Sequence, residues 1–290
     1  MEVDRLTDLL GRQVTEVRPV SGGSICAAYR VQMADGSWAF AKTSRNGSPA
    51  GFFAAEAQGL DRLRAAHHHG GVGVPEVFAV ADDCLVLEWV EPGRPSAEAA
   101  EAFGRRLAAT HRVGAGTFGD PTGPAFIGSL PLPSGPYGAW AQLWAEGRVH
   151  PYVREAKDRG ALAAADAADV ERALGRIGEL PGADEPPSLV HGDLWSGNVL
   201  WTTADALLVD AAAVHGGHRE SDLAMLVLFG LPHLDVVLAA YEAAADPPLA
   251  DGWRDRVVLH QLHPVLVHAV LFGGRYGAEA GRLARQARQL

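Results

Sequence analysis

The run His191-Gly192-Asp193-Leu194-Trp195-Ser196-Gly197-Asn198 places a carboxylate and a carboxamide five residues apart in a short segment, and Leu207-Leu208-Val209-Asp210 follows with a second carboxylate closing an apolar stretch. Those three side chains suit phosphoryl transfer. Asp193 can orient a hydroxyl and accept its proton, while Asn198 and Asp210 offer oxygen donors for Mg²⁺ against triphosphate oxygens. A hard cation explains why the set is Asp and Asn rather than His and Cys. Each has a plainer use when taken singly: Asp193 as a cap on the next turn, Asp210 as a strand-end carboxylate.

Together, in this order, they match the catalytic loop and metal-binding aspartate of a kinase. The N-terminal part supplies independent support. Trp38-Ala39-Phe40-Ala41-Lys42 reads as a strand ending in an ammonium, where a kinase grips the α- and β-phosphates of ATP, and Glu56 lies fourteen residues on, in a helical stretch from which it could orient Lys42. Lysine is scarce: of 25 Lys plus Arg, only Lys42 and Lys157 are lysines, and Lys157 has no comparable context. Ser21-Gly22-Gly23-Ser24 is a small-residue turn able to fold over phosphates, although it matches neither a Walker A loop nor G-x-G-x-x-G. Leu85 to Val90 leads out of the last strand of this region, so the Glu88 carbonyl and the Val90 amide are candidate adenine contacts.

The elements that must position these groups are legible in the pattern. Met1 to Val14 reads as a helix; Val14–Val20, Ala27–Met33, Trp38–Thr43, Val77–Ala81 and Cys84–Trp89 read as strands, with a hairpin at Asp35-Gly36 and a helix over 52–66. From Ser96 the chain becomes Ala-rich, with helices expected at 97–112, 138–146, 162–180, 219–229, 233–245 and 252–271, and a Gly/Pro-rich loop over 114–136. The expectation is an α+β, protein-kinase-like fold of two lobes. A small nucleotide-binding lobe (1–90) would carry a five-stranded antiparallel sheet and one helix, and a larger helical lobe (91–290) would carry catalysis and substrate binding.

Composition narrows the partners. With 290 residues and a formal charge of −10, the chain has ample core but no basic excess for phosphate-backbone contacts, which argues against nucleic acid. No apolar run reaches the roughly 20 residues that span a bilayer, so no membrane partner is expected. Cys26 and Cys84 form no C-x-x-C, consistent with a reducing, cytoplasmic setting, and the N-terminus lacks the pattern of a signal peptide. A monomer is expected.

Leu189-Val190-His191-Gly192-Asp193-Leu194-Trp195-Ser196-Gly197-Asn198-Val199 resembles the fructosamine-3-kinase (ketosamine-3-kinase) family, within the aminoglycoside phosphotransferase and protein-kinase-like superfamily. The H-G-D-x-x-x-x-N core is shared with antibiotic and choline kinases, and the Trp195-Ser196-Gly197-Asn198 portion is more particular to the fructosamine branch. Further matches are His218-Arg219-Glu220-Ser221-Asp222, His260-Gln261-Leu262, His268 before Phe272-Gly273, and Trp140, Trp144 and Arg148, so the resemblance covers nearly the whole chain. It implies Asp193 as catalytic base, Asn198 and Asp210 as Mg²⁺ ligands, and Lys42 with Glu56 as the ATP-gripping pair. It also implies Asp222 and His191 as supports of the catalytic loop, and Trp195, His218, Glu220 and His268 on the substrate side. The implied reaction moves the γ-phosphoryl of ATP to the 3-hydroxyl of a ketose on a small-molecule or protein-bound glycated amine, and the unstable product then frees the amine. Departures are Ala211 where the family often has Pro, one extra residue between Asp210 and His218, and Cys26 two positions beyond the family's cysteine.

Other residues read more plainly. His67-His68-His69 is a solvated loop, since adjacent histidines cannot all face one ion. His260, His263 and His268 suit structural or substrate-pocket roles rather than zinc, because Pro264 interrupts them. Trp140, Trp144 and Trp195 are more often core, although a sugar can stack on an exposed indole. Alternatives are a phosphotransferase for another hydroxyl, such as an aminoglycoside or choline, and a silent nucleotide-binding pseudokinase; the presence of Lys42, Glu56, Asp193, Asn198 and Asp210 weighs against the latter.

Overall fold

The computed structural model describes residues 2–21, 26–45, 47–120 and 122–290. Helix α1 (Val3–Leu10) leads into β1 (Val14–Val20), β2 (Cys26–Met33) and β3 (Trp38–Ser44). Helix α2 (Phe52–His67) follows, then β4 (Val77–Ala81) and β5 (Cys84–Glu88). The five strands form one antiparallel sheet, as expected from the sequence, in the order β1-β2-β3-β5-β4. Lys42 stands opposite Ala28 on β2 and Leu85 on β5, so it belongs to the central strand, where neighbours on both sides hold its backbone.

The rest is mostly helical. Helix α3 (Ala97–Arg112) starts at Ser96, whose side chain accepts from the Ala99 amide at 3.2 Å. The expected loop over 114–136 contains a small hairpin, β6 (Ala125–Ile127) with β7 (Leu130–Leu132), too short to show an alternating pattern. Helix α4 (Trp140–Gln142) runs on as a π-helix (Leu143–Val149) into α5 (His150–Asp158), so the helix expected to end at 146 continues well past it. The stretch expected as one helix over 162–180 is α6 (Ala164–Leu174) plus a 3₁₀ turn, and that over 252–271 is two helices. Pro264 has no N–H to donate and fits only in a helix's first turn, which is where it falls: the chain breaks at Gln261 and restarts.

Two short antiparallel strand pairs frame Asp193, Asn198 and Asp210. β8 (Ser188–Val190) precedes the loop around Asp193; β9 (Val199–Trp201) and β10 (Ala206–Leu208) pair antiparallel between Asn198 and Asp210; β11 (His215–Gly217) returns to pair with β8. The extra residue between Asp210 and His218 therefore lies in a segment that closes a strand pair. Helices α7 (Glu220–Phe229), α8 (Leu234–Ala244), α9 (Trp253–His260), α10 (Leu262–Phe272) and α11 (Tyr276–Ala287) complete the chain.

One apolar core seals α1 against the sheet, and a second fills the helical part. A third is continuous from Phe53 and Leu60 of α2 through Leu85, Phe103 of α3 and Leu208 to Leu223 of α7. The core thus passes straight across residue 91, and α2 is packed to both sides. Among the described residues, no helix is long and apolar enough to cross a membrane.

Candidate active site

Lys42 is 6% exposed at the end of the central strand, and its Nζ lies 2.6 Å from Glu56 Oε2 and in contact with Asp210 Oδ1. Residues from β3, α2 and the segment after β10 therefore meet at one ammonium. Burial alone would pull Lys42 down, but the two carboxylates outweigh it and push its pKa up, so it stays charged. Asp210 is held below its ordinary value, chiefly by Lys42. Glu56 goes the other way, up to about 7: it is fully buried, the Asp210 charge opposes ionisation, and its Oε1 has no hydrogen-bond partner among the described residues.

Two glycines make this convergence possible. Gly59 sits inside α2, where glycine costs about 1 kcal/mol relative to alanine, yet a Cβ there would lie 1.9 Å from the Ala211 carbonyl oxygen. Its absence lets α2 lie against the backbone beside Asp210. Gly192 has φ +80, and a Cβ would lie 2.3 Å from the Ala213 carbonyl oxygen. Asp210 itself takes a left-handed φ of 58, a conformation Asp tolerates better than most residues but at some cost in strain.

Asp193 is half-buried, and burial raises its pKa to about 6; the Asp210 charge adds to the rise, while His191 opposes it. The Asn198 carboxamide nitrogen donates to the Asp193 carbonyl at 2.8 Å and approaches Asp193 Oδ2 at 3.4 Å, which turns its oxygen away from these bonds. His191 ties the loop to the Asp210 segment. Its Nε2–H donates to the Val209 carbonyl at 2.9 Å, so its Nδ1 is the acceptor for the Asp193 amide at 3.3 Å.

Asp222 underpins the loop from α7, accepting from the His191 amide at 2.7 Å and the Gly192 amide at 3.0 Å. His111 reaches the same carboxylate at 3.2 Å through Nε2, and the Tyr241 hydroxyl donates to His111 Nδ1 at 2.7 Å. This chain from α8 through α3 is invisible in the sequence, because its members are scattered over 130 residues. Although burial opposes it, these donors hold Asp222 below the usual carboxylate range.

The substrate-side expectations divide. Trp195 is 40% exposed two residues beyond Asp193, and a Cβ at Gly197 would strike its ring, so Gly197 makes room for the indole. From Trp195 an aromatic series continues through Phe229 (centroids 6.2 Å apart) to His268 (5.1 Å from Phe229), Phe272 and Tyr276. Phe272 is 65% exposed. Trp140 and Trp144, by contrast, are core. His218 and Glu220, expected on the substrate side, are both buried, with their side-chain polar atoms bonded within the chain. His218 donates from Nε2 to the Gly182 carbonyl and packs on Trp140, while both oxygens of Glu220 accept from Arg256. His218, Glu220 and His260 cluster like metal ligands, but both nitrogens of His218 and both oxygens of Glu220 are already engaged.

Of the nucleotide-side residues, Ser21 is exposed at the end of β1; Gly22, Gly23 and Ser24 lie outside the described residues. The Glu88 amide donates to the Glu76 carbonyl at 2.7 Å, and Val90 follows in the connector, its amide without an acceptor among the described residues. Cys26 is partly buried, which raises its thiol pKa and keeps it protonated.

Comparison with known proteins gives one answer. The model of the fructosamine kinase family matches residues 3–289. A Synechocystis sp. protein named as a probable ketoamine kinase is 33% identical over 282 residues, covering 94% of this chain and 90% of its own. A crystal structure from Thermobifida fusca, assigned as a fructosamine-3-kinase, superposes with a TM-score of 0.91 at 46% identity, covering 99% of this chain and 98% of the other. A macrolide 2'-phosphotransferase type I shares the fold alone, at TM-score 0.64 and 18% identity over 97% of this chain and 98% of its own.

Proposed function

The chain belongs to the fructosamine kinase family, whose members act on ketoamines, and from that premise we propose that it transfers the γ-phosphoryl group of ATP to the 3-hydroxyl of a ketose borne on an amine. The observation that carries this reading is the meeting of Lys42, Glu56 and Asp210 across three elements, with Asp193 and Asn198 joined by hydrogen bonds beside them.

Asn198 and Asp210 would hold Mg²⁺: the donors are all oxygens, and the Asn198 amide nitrogen is already committed to Asp193, which leaves its oxygen for a cation. The ion when bound neutralises phosphate charge. Lys42 grips phosphate oxygens, and Glu56 fixes its direction. Asp193 takes the proton of the attacking hydroxyl while the new O–P bond forms and the bond to ADP breaks. A carboxyl with pKa about 6 is largely ionised at neutral pH, yet a stronger base than a solvated aspartate. His191 and Asp222 hold the loop without touching the reacting atoms.

The acceptor side supports the same reading. The exposed indole of Trp195 offers a flat face for the C–H side of a sugar, and Phe229, His268 and Phe272 extend it where the amine would run. A polycationic antibiotic calls for carboxylates there, whereas these side chains are aromatic. The phosphorylated adduct is expected to fall apart and free the amine, which makes the role repair of glycated lysines or disposal of small glycated amines. An assay of Mg·ATP consumption with fructoselysine, ribuloselysine, an aminoglycoside and choline tests this. Turnover of a ketosamine supports the reading; turnover confined to the last two refutes it.

A further inference from the structure

The helical part contains a second polar site, behind the loop that carries Asp193. Among the described residues, four buried side-chain nitrogens without a hydrogen-bond partner, Trp140 Nε1, Trp144 Nε1, Arg148 Nη2 and His263 Nε2, belong to residues lining one interior cavity of about 20 Å³. Burying a polar group without a partner costs about 1–3 kcal/mol, more for a charge, so their grouping around one space points to something that fills it.

Arg148 sets the sign. It is 2% exposed, and its Nη1 donates to the Pro133 and Gly147 carbonyls at 2.6 and 3.0 Å while Nη2 has no acceptor. Among the described residues no carboxylate pairs with it, and burial lowers its pKa to about 10. Buried guanidinium groups are ordinarily paired, as Arg256 is with Glu220 and Arg219 with Glu185 in this same chain. The two indole N–H groups are donors only. Trp140, Trp144 and Arg148 recur every fourth residue along α4 and the π-helix, a helical form often found at functional sites.

We propose that Arg148 and the indole N–H groups of Trp140 and Trp144 bind one monatomic, monovalent anion of chloride size. The space admits a single small sphere and excludes phosphate or sulfate. A lone water has two lone pairs for three donors and leaves the guanidinium charge unmatched, although it would serve His263 Nε2, whose lone pair is free because Nδ1 donates to the Arg148 carbonyl. Gly192 and Asp222 line the same cavity, which places the anion beneath the loop around Asp193, and the Asp222 carboxylate there has both oxygens already engaged by the His191 and Gly192 amides and by His111.

The test replaces gluconate by chloride at constant ionic strength and follows thermal unfolding of the whole protein, with diffraction from crystals grown in bromide to locate the ion. The expected results are a saturable rise in Tm with chloride and an anomalous bromide peak within hydrogen-bonding distance of Arg148 Nη2. Trp144→Phe keeps the ring and removes one donor, so it should weaken chloride affinity by about tenfold. Equal Tm in both salts with no bromide peak means an ordered water only and overturns the proposal. A Trp144→Phe protein with unchanged chloride dependence overturns the placement of the ion at the indoles.

Discussion

Glu56 and Glu220 are both buried glutamates beside a cation, and they stand in opposite electrostatic states. Glu220 accepts from Arg256 on both oxygens, with His260 close by, and despite complete burial its pKa is lowered to about 2. Glu56 shares a single ammonium with Asp210, keeps one oxygen without a partner, and is raised to about 7. The difference lies in what faces the carboxylate: Glu220 meets donors from Arg256 and His260, whereas Glu56 shares one ammonium with the like charge of Asp210. Around Glu220 each charge has its partner, and the loop that hangs from α7 is held firmly. In the cleft the charges are left short of partners, as the proposed function requires of a site that would receive phosphates and a cation.

The sharpest break of that comparison lies at the cleft's catalytic centre. Asp193→Asn should lower kcat by about 10³-fold, the scale of a lost general base, while ATP affinity measured by calorimetry stays close to wild type. Near-normal phosphorylation would remove Asp193 from the role of base. Asp210→Ala should come next: Mg²⁺-dependent nucleotide affinity falls by about tenfold or more, the cost of a charged ligand. An unchanged titration with Mg·ATP would mean that this carboxylate holds no metal.

Much of the cleft is legible in the amino-acid sequence, since its chemistry depends on residue type at short spacing: Asp193 with Asn198, Asp210 closing a hairpin, Lys42 ending a strand of regular alternation. Much of the sheet is legible too, from the Asp35-Gly36 hairpin and the strand-forming runs on either side of it, although β5 is buried along four of its five residues and shows no alternation. The interior is not legible. His218 and Glu220 look like site residues in the sequence, being polar groups in a distinctive motif, but burial with full hydrogen bonding is a property of packing that no local pattern encodes. The chain from Tyr241 through His111 to Asp222 joins three helices, and Gly59 announces only that a helix carries a glycine without saying which backbone presses on it. The π-helical run and the break at Gln261 escape the pattern for a related reason: apolar periodicity marks which face is buried and is insensitive to one added residue or to a short interruption.

The two glutamates can be separated by stability. Glu220→Gln leaves Arg256 as a buried cation facing a neutral amide, and loss of a buried pair costs about 3–5 kcal/mol, so the denaturation midpoint should drop markedly at pH 7. Glu56→Gln removes a charge that the fold holds poorly, so it should unfold at nearly the wild-type midpoint while kcat/KM for ATP falls. Equal destabilisation of the two variants would erase the distinction between the saturated pair at Glu220 and the unsatisfied cleft.

The smallest effect follows from Asp193 itself. Its pKa stands above the ordinary aspartate value, at about 6, so the folded protein holds that proton more tightly than the unfolded chain does. Stability from this group is therefore complete at low pH and is lost as pH rises through about 6, the reverse of Glu220, whose contribution is lost only as pH falls toward about 2. Turnover has the opposite dependence on the same proton, because only the ionised carboxylate can accept from the hydroxyl: the acid limb of kcat/KM should fall near pH 6 rather than near the ordinary aspartate range. Asp193→Asn should consequently have a Tm above wild type at about pH 8, a smaller excess at about pH 4.5, and equality only near about pH 3, below the ordinary aspartate pKa. A variant that is no more stable in the alkaline buffer, beside an acid limb in the ordinary aspartate range, would show Asp193 to be as well satisfied as Glu220 and the cleft to be no different from the interior.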